Sequence, residues 1–168
     1  MISKSAYTAL IMAAMSICSI VWPAKAGNFM ARDHIVVDLQ HNIDWLRCTV
    51  GQVWDGDSCA GETVRLDHEQ IEMAITQADE QLGKGWRLPT VDELEGLLCE
   101  SCKTCDLCNY PMIDAEMFPR TEAEPYWTGK QNSLSRRNYF SVNFINGWVY
   151  GRFFPTQKLA VRLVRDRR

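Results

Sequence analysis

The apolar positions change their spacing along the chain. Between residues 67 and 82, Ile71, Ala74, Ile75, Ala78 and Leu82 fall on one stripe, with Glu72, Gln77, Asp79 and Glu80 off it. This is the 3.6-residue period of an amphipathic helix. Asp67 with Gln70 forms a capping box at its start, and Gly83 and Gly85 end it. His68 is expected in the exposed first turn, as a solvated residue. A second helix is predicted to begin after Thr90. Thr90 can accept from the Glu93 N–H, and Glu93 can reach back to the Thr90 N–H, a second capping box. Asp92 and Glu93 suit the helix dipole, and Pro89 keeps Leu88 extended. Leu94, Leu97 and Leu98 return at helical spacing, so this helix is expected to run into the cysteine cluster that follows. Ahead of it, Trp86 and Leu88 point to the core. Arg87 points the other way, or pairs with a carboxylate under the fold.

Elsewhere the period is two. Ile35-Val36-Val37-Asp38-Leu39 reads as a first strand. Tyr126-Trp127-Thr128-Gly129 is a short strand or turn. Phe140, Val142 and Phe144 alternate with Ser141, Asn143 and Ile145, and Asn146-Gly147 marks a hairpin returning through Trp148-Val149-Tyr150. Lys158 to Arg165 is a final strand: Leu159, Val161 and Leu163 face one way, Ala160, Arg162 and Val164 the other. Arg162 is expected to hold this strand against an internal carboxylate or backbone carbonyls. Residues 109–125, with Pro111, Pro119 and Pro125, read as a covering loop, and 131–138 as a polar surface loop. Two helices packed on short antiparallel sheets make an α+β domain.

The first 26 residues change the picture of where the chain works. Lys4, an apolar run from Ala9 to Trp22 and Ala24-Lys25-Ala26 have the form of a signal peptide with its cleavage site. The run is short for a membrane span and no second one follows. The expectation is a periplasmic or secreted protein beginning near Gly27, with residues 27–44 as a lead-in strand and 45–168 as the domain. The whole-chain charge is −3, and losing Lys4 and Lys25 makes it more negative. No Lys/Arg block stands against that balance, which argues against general nucleic-acid binding.

Of the seven cysteines, Cys18 lies in the leader. The remaining even set, in an exported chain, points to disulfides. Cys48 and Cys59 flank the turn signal Asp55-Gly56-Asp57, and their closure is worth about 3 kcal/mol in the chain-entropy model. Cys99, Cys102, Cys105 and Cys108 form Cys-x-x-Cys-x-x-Cys-x-x-Cys. They are expected to pair among themselves, 99–102 with 105–108 or nested. A zinc site on the same four thiolates is the alternative, with shorter spacers than known fingers use. An iron–sulfur cluster would show three residues before the last cysteine, then proline. Asp55, Asp57 and Glu62 do not follow the calcium-loop pattern. No nucleophile–base pair, phosphate loop or metal-spaced histidine stands out, so no catalytic residue, metal or cofactor is assigned. The candidate ligand-binding face is Tyr126, Trp127, Trp148 and Tyr150, with Arg136 and Arg137 in the adjoining loop. Aromatic faces stack on sugar rings, and the Arg fork takes carboxylate or sulfate.

Several stretches together resemble a known bacterial family. They are Trp45-Leu46-Arg47-Cys48, Gly51-Gln52-Val53-Trp54-Asp55-Gly56 with Cys59, Trp86-Arg87-Leu88-Pro89-Thr90 with Glu93-Leu94, and Phe118-Pro119. Tyr126-Trp127-Thr128, Val142-Asn143-Phe144 with Gly147, and Ala160-Val161-Arg162-Leu163-Val164-Arg165 complete the set. The family is the one named for the C-terminal domain of the Legionella collagen-like adhesin, and the likeness covers residues 45–166. It implies a C-type-lectin-like fold related to the formylglycine-generating enzymes. It also implies an exported, non-catalytic binding or adhesion module whose partner is a glycan or a surface protein, with oligomerisation open. The same relationship suggests a cysteine-dependent oxidoreductase as an alternative; a structural subunit of a surface assembly is a third reading, which the sequence does not separate from the binding module. The chain has no collagen-like repeat. It lacks the Glu-Pro-Asn and Trp-Asn-Asp calcium motifs of sugar-binding lectins; Glu124-Pro125-Tyr126 differs at the third residue.

Overall fold

The computed structural model describes residues 28–99 and 110–167. β1 (Phe29–Arg32), β2 (Ile35–Asp38) and β3 (Ile43–Leu46) form an antiparallel meander. β4 (Gln52–Trp54) and β5 (Cys59–Gly61) form a small hairpin, followed by α1 (His68–Leu82), β6 (Trp86–Arg87) and α2 (Val91–Glu95). β7 (Pro125–Gln131), β8 (Tyr139–Asn143) and β9 (Val149–Phe153) form a second meander, and β10 (Val164–Asp166) closes the chain. The main sheet has the order β1-β2-β3-β10-β6, so the last strand lies between two early ones. β7-β8-β9 is a separate three-stranded sheet with β9 at an edge.

Two apolar cores lie on opposite sides of one partition. Val36, Trp45, Leu94, Phe118, Tyr126, Val142 and Phe144 belong to the first core. Ile35, Val37, Ile71, Trp86 and Trp127 belong to the second, which α1 covers. The partition is made of chain that is apolar on both faces. β2 sends Val36 one way and Ile35 and Val37 the other, and β7 divides Tyr126 from Trp127. Residues 159–164 do the same: Leu159, Val161 and Leu163 enter the second core, Ala160 and Val164 the first. The alternation expected of this segment is therefore real. Regular pairing, however, covers only Val164–Asp166. Upstream, its carbonyls go singly to different elements: Leu163 to Leu46, Val161 to Val50 and Ala160 to Trp127. A segment wedged between two cores has neighbours on all sides and no single partner strand.

Arg162 is the polar member of this partition and is fully buried. Its guanidinium donates to the carbonyls of Leu46 and Arg47, to Thr49 Oγ1 (3.1 Å) and to Thr121 Oγ1 (2.7 Å). It also sits 4.9 Å from the centre of the Phe118 ring. No carboxylate is among its partners within the described residues. Of the two alternatives the sequence left open, backbone carbonyls hold it. Burial pushes its pKa down to about 10, which leaves it charged at neutral pH.

The Trp86–Leu94 junction is built as its residues dictate. Thr90 Oγ1 accepts from the Glu93 N–H (3.2 Å), and a Glu93 carboxylate oxygen accepts from the Thr90 N–H (2.7 Å). The same carboxylate takes a two-pronged contact from Arg87 (2.9 and 2.8 Å), and Arg87 also reaches Asp166 on β10. The Arg87 guanidinium is held well above its ordinary range, chiefly by the Glu93 hydrogen bond. One carboxylate thus caps α2 and ties it to the main sheet. α2 is shorter than expected: it ends at Glu95, and Leu97 and Leu98 reach the core from a turn. A bridge from Leu98 to Ile113 replaces the continuing helix. The loop after residue 110 also does more than cover the domain, since Met112, Ile113 and Phe118 are core residues.

Cys48 and Cys59 are joined, with Cα atoms 5.5 Å apart. The turn between them is where Asp55-Gly56-Asp57 put it: Asp55 Oδ1 accepts from the N–H groups of Asp57 and Ser58. Within the expected lead-in, β1 and β2 pair into the main sheet, and β3 crosses residue 45. The expected leader, and Cys102, Cys105 and Cys108 with their disulfide and zinc readings, lie outside the described residues.

Two outcomes follow. Cys48→Ser is expected to lower unfolding free energy by roughly 2–5 kcal/mol, measured by chemical denaturation of the oxidised protein. Arg162→Met leaves two carbonyls and two hydroxyls without their donor, and is expected to destabilise by about 3 kcal/mol or more. Arg162→Lys, with fewer donors but the charge kept, should lie between. A thermal midpoint for Arg162→Met equal to wild type would refute this role.

Candidate ligand-binding face

The hairpin between β8 and β9 has a longer loop than Asn146-Gly147 alone predicts. The backbone of Phe144 is already engaged: its N–H goes to Glu124 O and its carbonyl to Met112 N–H. Its ring is buried 4.9 Å from that of Tyr126. Pairing with β9 therefore stops at Asn143. The loop then closes on itself, with the Gly147 N–H donating to Asn143 O at a positive φ of 69°. Asn143 and Asn146 side chains accept from the N–H groups of Ile145 and Trp148. The result is a fixed tip at the head of an edge strand.

That strand presents the exposed aromatic surface. Trp148 is 64% exposed, and its ring centre lies 6.3 Å from that of Tyr150. The Arg152 guanidinium lies 4.8 Å from the Tyr150 ring centre, and Asn146 Nδ2 donates to the Tyr150 hydroxyl (3.1 Å). Trp148, Tyr150 and Arg152 thus form a continuous row, with the two rings tilted at 52° to one another and the guanidinium over the Tyr150 ring.

The other expected face residues part company. Tyr126 and Trp127 are fully buried. Trp127 Nε1 donates to Leu66 O (2.8 Å), and the Tyr126 hydroxyl lies 3.3 Å from Thr49 Oγ1. Both belong to the partition, because β7 is flanked by β8 on one side and by Ala160 on the other. They offer no surface to a ligand. Arg136 and Arg137 stand exposed in the loop 132–138, whose base is pinned to β9 by Asn132 Nδ2 donating to Gly151 O (2.7 Å).

Arg152 was not among the residues singled out from sequence, and neither was the charge pattern around it. From Pro125 to Arg165 the chain has no Asp or Glu. Arg162 is buried and Arg165 pairs with Asp44. Lys130, Arg136, Arg137, Arg152 and Lys158 remain exposed, with no ion pair among the described residues. The whole-chain charge of −3 conceals this basic region, because the acids lie elsewhere. The signal was present in the local sequence and lost in the average.

His68 differs from expectation. It is half-buried, its ring 3.9 Å from Tyr139 and 4.8 Å from Trp127. Its Nε2 is shielded from solvent, with no hydrogen-bond partner among the described residues. Burial lowers its pKa, against the opposing pull of Glu72 and Asp67. The expectation placed it in solvent because it occupies the first turn; the aromatic sheet face beneath that turn was not visible. Among the described residues no three His, Cys, Asp or Glu side chains converge on a metal position, and no helix is long and apolar enough to cross a membrane.

By class, the chain is a disulfide-linked α+β domain with an exposed aromatic–arginine row at an edge strand. The model of the Lcl C-terminal domain family matches residues 34–165, and the chain belongs to that family. No curated protein matches it.

The His68 environment predicts a pH dependence. Above its usual value of 6.5, His68 is neutral in both the folded and unfolded chain. Below that, the unfolded chain binds the proton first, so stability falls as pH drops from 6.5 toward the lowered folded value. His68→Phe keeps the ring stacking and is expected to flatten this part of the stability–pH curve, read from denaturation midpoints between pH 7 and 5. Identical curves would remove His68 from the account.

Proposed function

We propose that the protein is an exported adhesion module that binds anionic carbohydrate through Trp148, Tyr150 and Arg152. In this reading residues 1–26 are a signal peptide, the protein acts in the periplasm or outside the cell, and its fold is C-type-lectin-like. The observation that carries it is the row itself: two adjacent aromatic rings and a guanidinium over one of them, set in a stretch of chain, Pro125 to Arg165, that carries exposed cations and no acid. Tryptophan and tyrosine faces stack on the apolar faces of pyranose rings. The Arg152 fork matches a sulfate or uronate group in two-pronged geometry. The surrounding cations raise the local concentration of a polyanion despite the acidic whole. Family membership supports the adhesive role.

The test is binding of the mature protein to heparin, to its desulfated form and to neutral glucans. Heparin is expected to bind best, and more weakly as salt rises. Trp148→Ala is expected to weaken all carbohydrate binding about tenfold, ~1.4 kcal/mol. Arg152→Gln is expected to remove the preference for the sulfated chain. Equal affinity for heparin in wild type and both variants would overturn the proposal.

A further inference from the structure

A second surface lies on the other part of the fold, between α1 and the β4–β5 hairpin. Two clefts, of about 530 and 520 Å³, share Gln52, Val53, Gln81 and Leu82 and so form one open trough. Its floor and walls expose apolar side chains that the cores do not take: Val53 is 71% exposed, Met73 62%, Val64 45% and Leu82 38%. Scattered exposed apolar residues are ordinary, but a contiguous group lining a groove marks an interaction site.

The walls are firm. The hairpin is anchored by the Cys48–Cys59 disulfide. Gly51 lies so close to the neighbouring strand that a Cβ there would come within 2.5 Å of Glu62 O. α1 is capped at Asp67 and held at its C-terminal end, where Arg165 donates to Leu82 O (3.1 Å). α1 is about 22 Å long, which matches about six residues of extended chain.

The side chains that line the trough carry negative charge at one end, while the nearby cations are already engaged. Arg47 stacks on Trp54 and donates to backbone carbonyls, and Arg165 pairs with Asp44 and donates to Leu82 O. The lining holds Asp33 and Asp55 at one end and no Lys or Arg among the described residues. α1 itself carries Glu69, Glu72, Asp79 and Glu80 off the trough-facing side and no Lys or Arg. Asp33 and Asp55 both stay below the usual carboxylate range, held by the His34 side chain and by the Ser58 N–H respectively. The apolar floor calls for apolar side chains, and the acidic end calls for a cation.

We propose that this trough docks an extended, apolar segment of a partner protein that ends in lysine or arginine. The surface is distinct from the carbohydrate face in position and opposite to it in charge, so one domain can hold both at once.

The test uses three labelled synthetic peptides of alternating leucine and threonine, ending in lysine, glutamate or glutamine, titrated into the mature protein. The lysine peptide is expected to bind at least tenfold more tightly than the glutamate peptide, with the glutamine peptide between. Val53→Ser combined with Met73→Ser, both at exposed positions, is expected to weaken the lysine peptide about tenfold. Asp33→Asn with Asp55→Asn, which keeps the turn-closing oxygen of residue 55, is expected to erase the difference between the peptides. Trp148→Ala should bind the lysine peptide as wild type does, and the Val53/Met73 variant should bind heparin as wild type does. Equal binding of the lysine and glutamate peptides, or none up to about 1 mM, overturns the proposal. Loss of peptide binding in Trp148→Ala overturns it too. So does a concentration-dependent dimer that the Val53/Met73 variant abolishes, since a second copy would then be the occupant.

Discussion

A single buried guanidinium sets the relation among the parts of this domain. Arg162 joins backbone carbonyls at the end of β3, the hydroxyl of Thr49 beyond it and the hydroxyl of Thr121 before β7. Those groups come from two separate stretches, residues 46–49 and Thr121, that the chain brings to Arg162 only when folded. A buried charge without a carboxylate is held here by dipoles on its two terminal nitrogens, while its Nε has no partner among the described residues, so each dipole must be in place. Apolar residues in the same strand could be shifted by one pair of positions with their faces kept. Arg162 cannot, because its donors would then face a core. It fixes register in a segment that has almost no regular pairing to fix it.

The same partition explains which aromatic residues are available outside. Trp45, Trp86, Trp127, Tyr126, Phe118 and Phe144 are consumed by two cores that share one wall. Such a wall needs large side chains on both faces. β9 is at the edge of its sheet: Phe153 still packs on Trp127, while Tyr150, and Trp148 just before the strand, are left partly in solvent. Exposed aromatic rings at an edge strand would invite unwanted strand pairing. Arg152 within the row and the exposed cations around it oppose that, by keeping like-charged edges apart.

Much of this was legible in the chain. The caps of both helices, the Cys48–Cys59 loop and the two-faced segment 159–164 follow from local chemistry, since the residues of each lie at most 11 positions apart. The role left open for Arg87, a carboxylate under the fold, resolved onto Glu93 and Asp166. What was not legible depends on tertiary neighbours. The length of α2 is cut by Ile113 bridging Leu98, and the hairpin loop is lengthened by Glu124 and Met112 taking the backbone of Phe144. The burial of Tyr126 and Trp127 and the shielding of His68 have the same origin. An aromatic residue in a strand carries no mark of which side will be covered. For the aromatic–arginine row, alternation of Trp148, Tyr150 and Arg152 was readable, but whole-chain charge drew attention away from a local excess of cations.

Both outward surfaces are built on short hairpins whose inner ends are fixed. The β8–β9 tip is held through Phe144, and the β4–β5 hairpin through a disulfide and a glycine contact. Association has to offset the ordering of whatever is mobile at the contact, at about 0.5–1.5 kcal/mol for each immobilised long side chain. Here the backbone beneath each surface is already ordered by the core, and Tyr150 and Arg152 already stack on one another. A weak individual contact, such as one ring on one sugar, can then register as binding. Repeated along a polymer or across several copies of the domain, such contacts multiply through effective concentration. That regime suits the adhesive role proposed above, in which many modest, pre-ordered contacts hold and each can release.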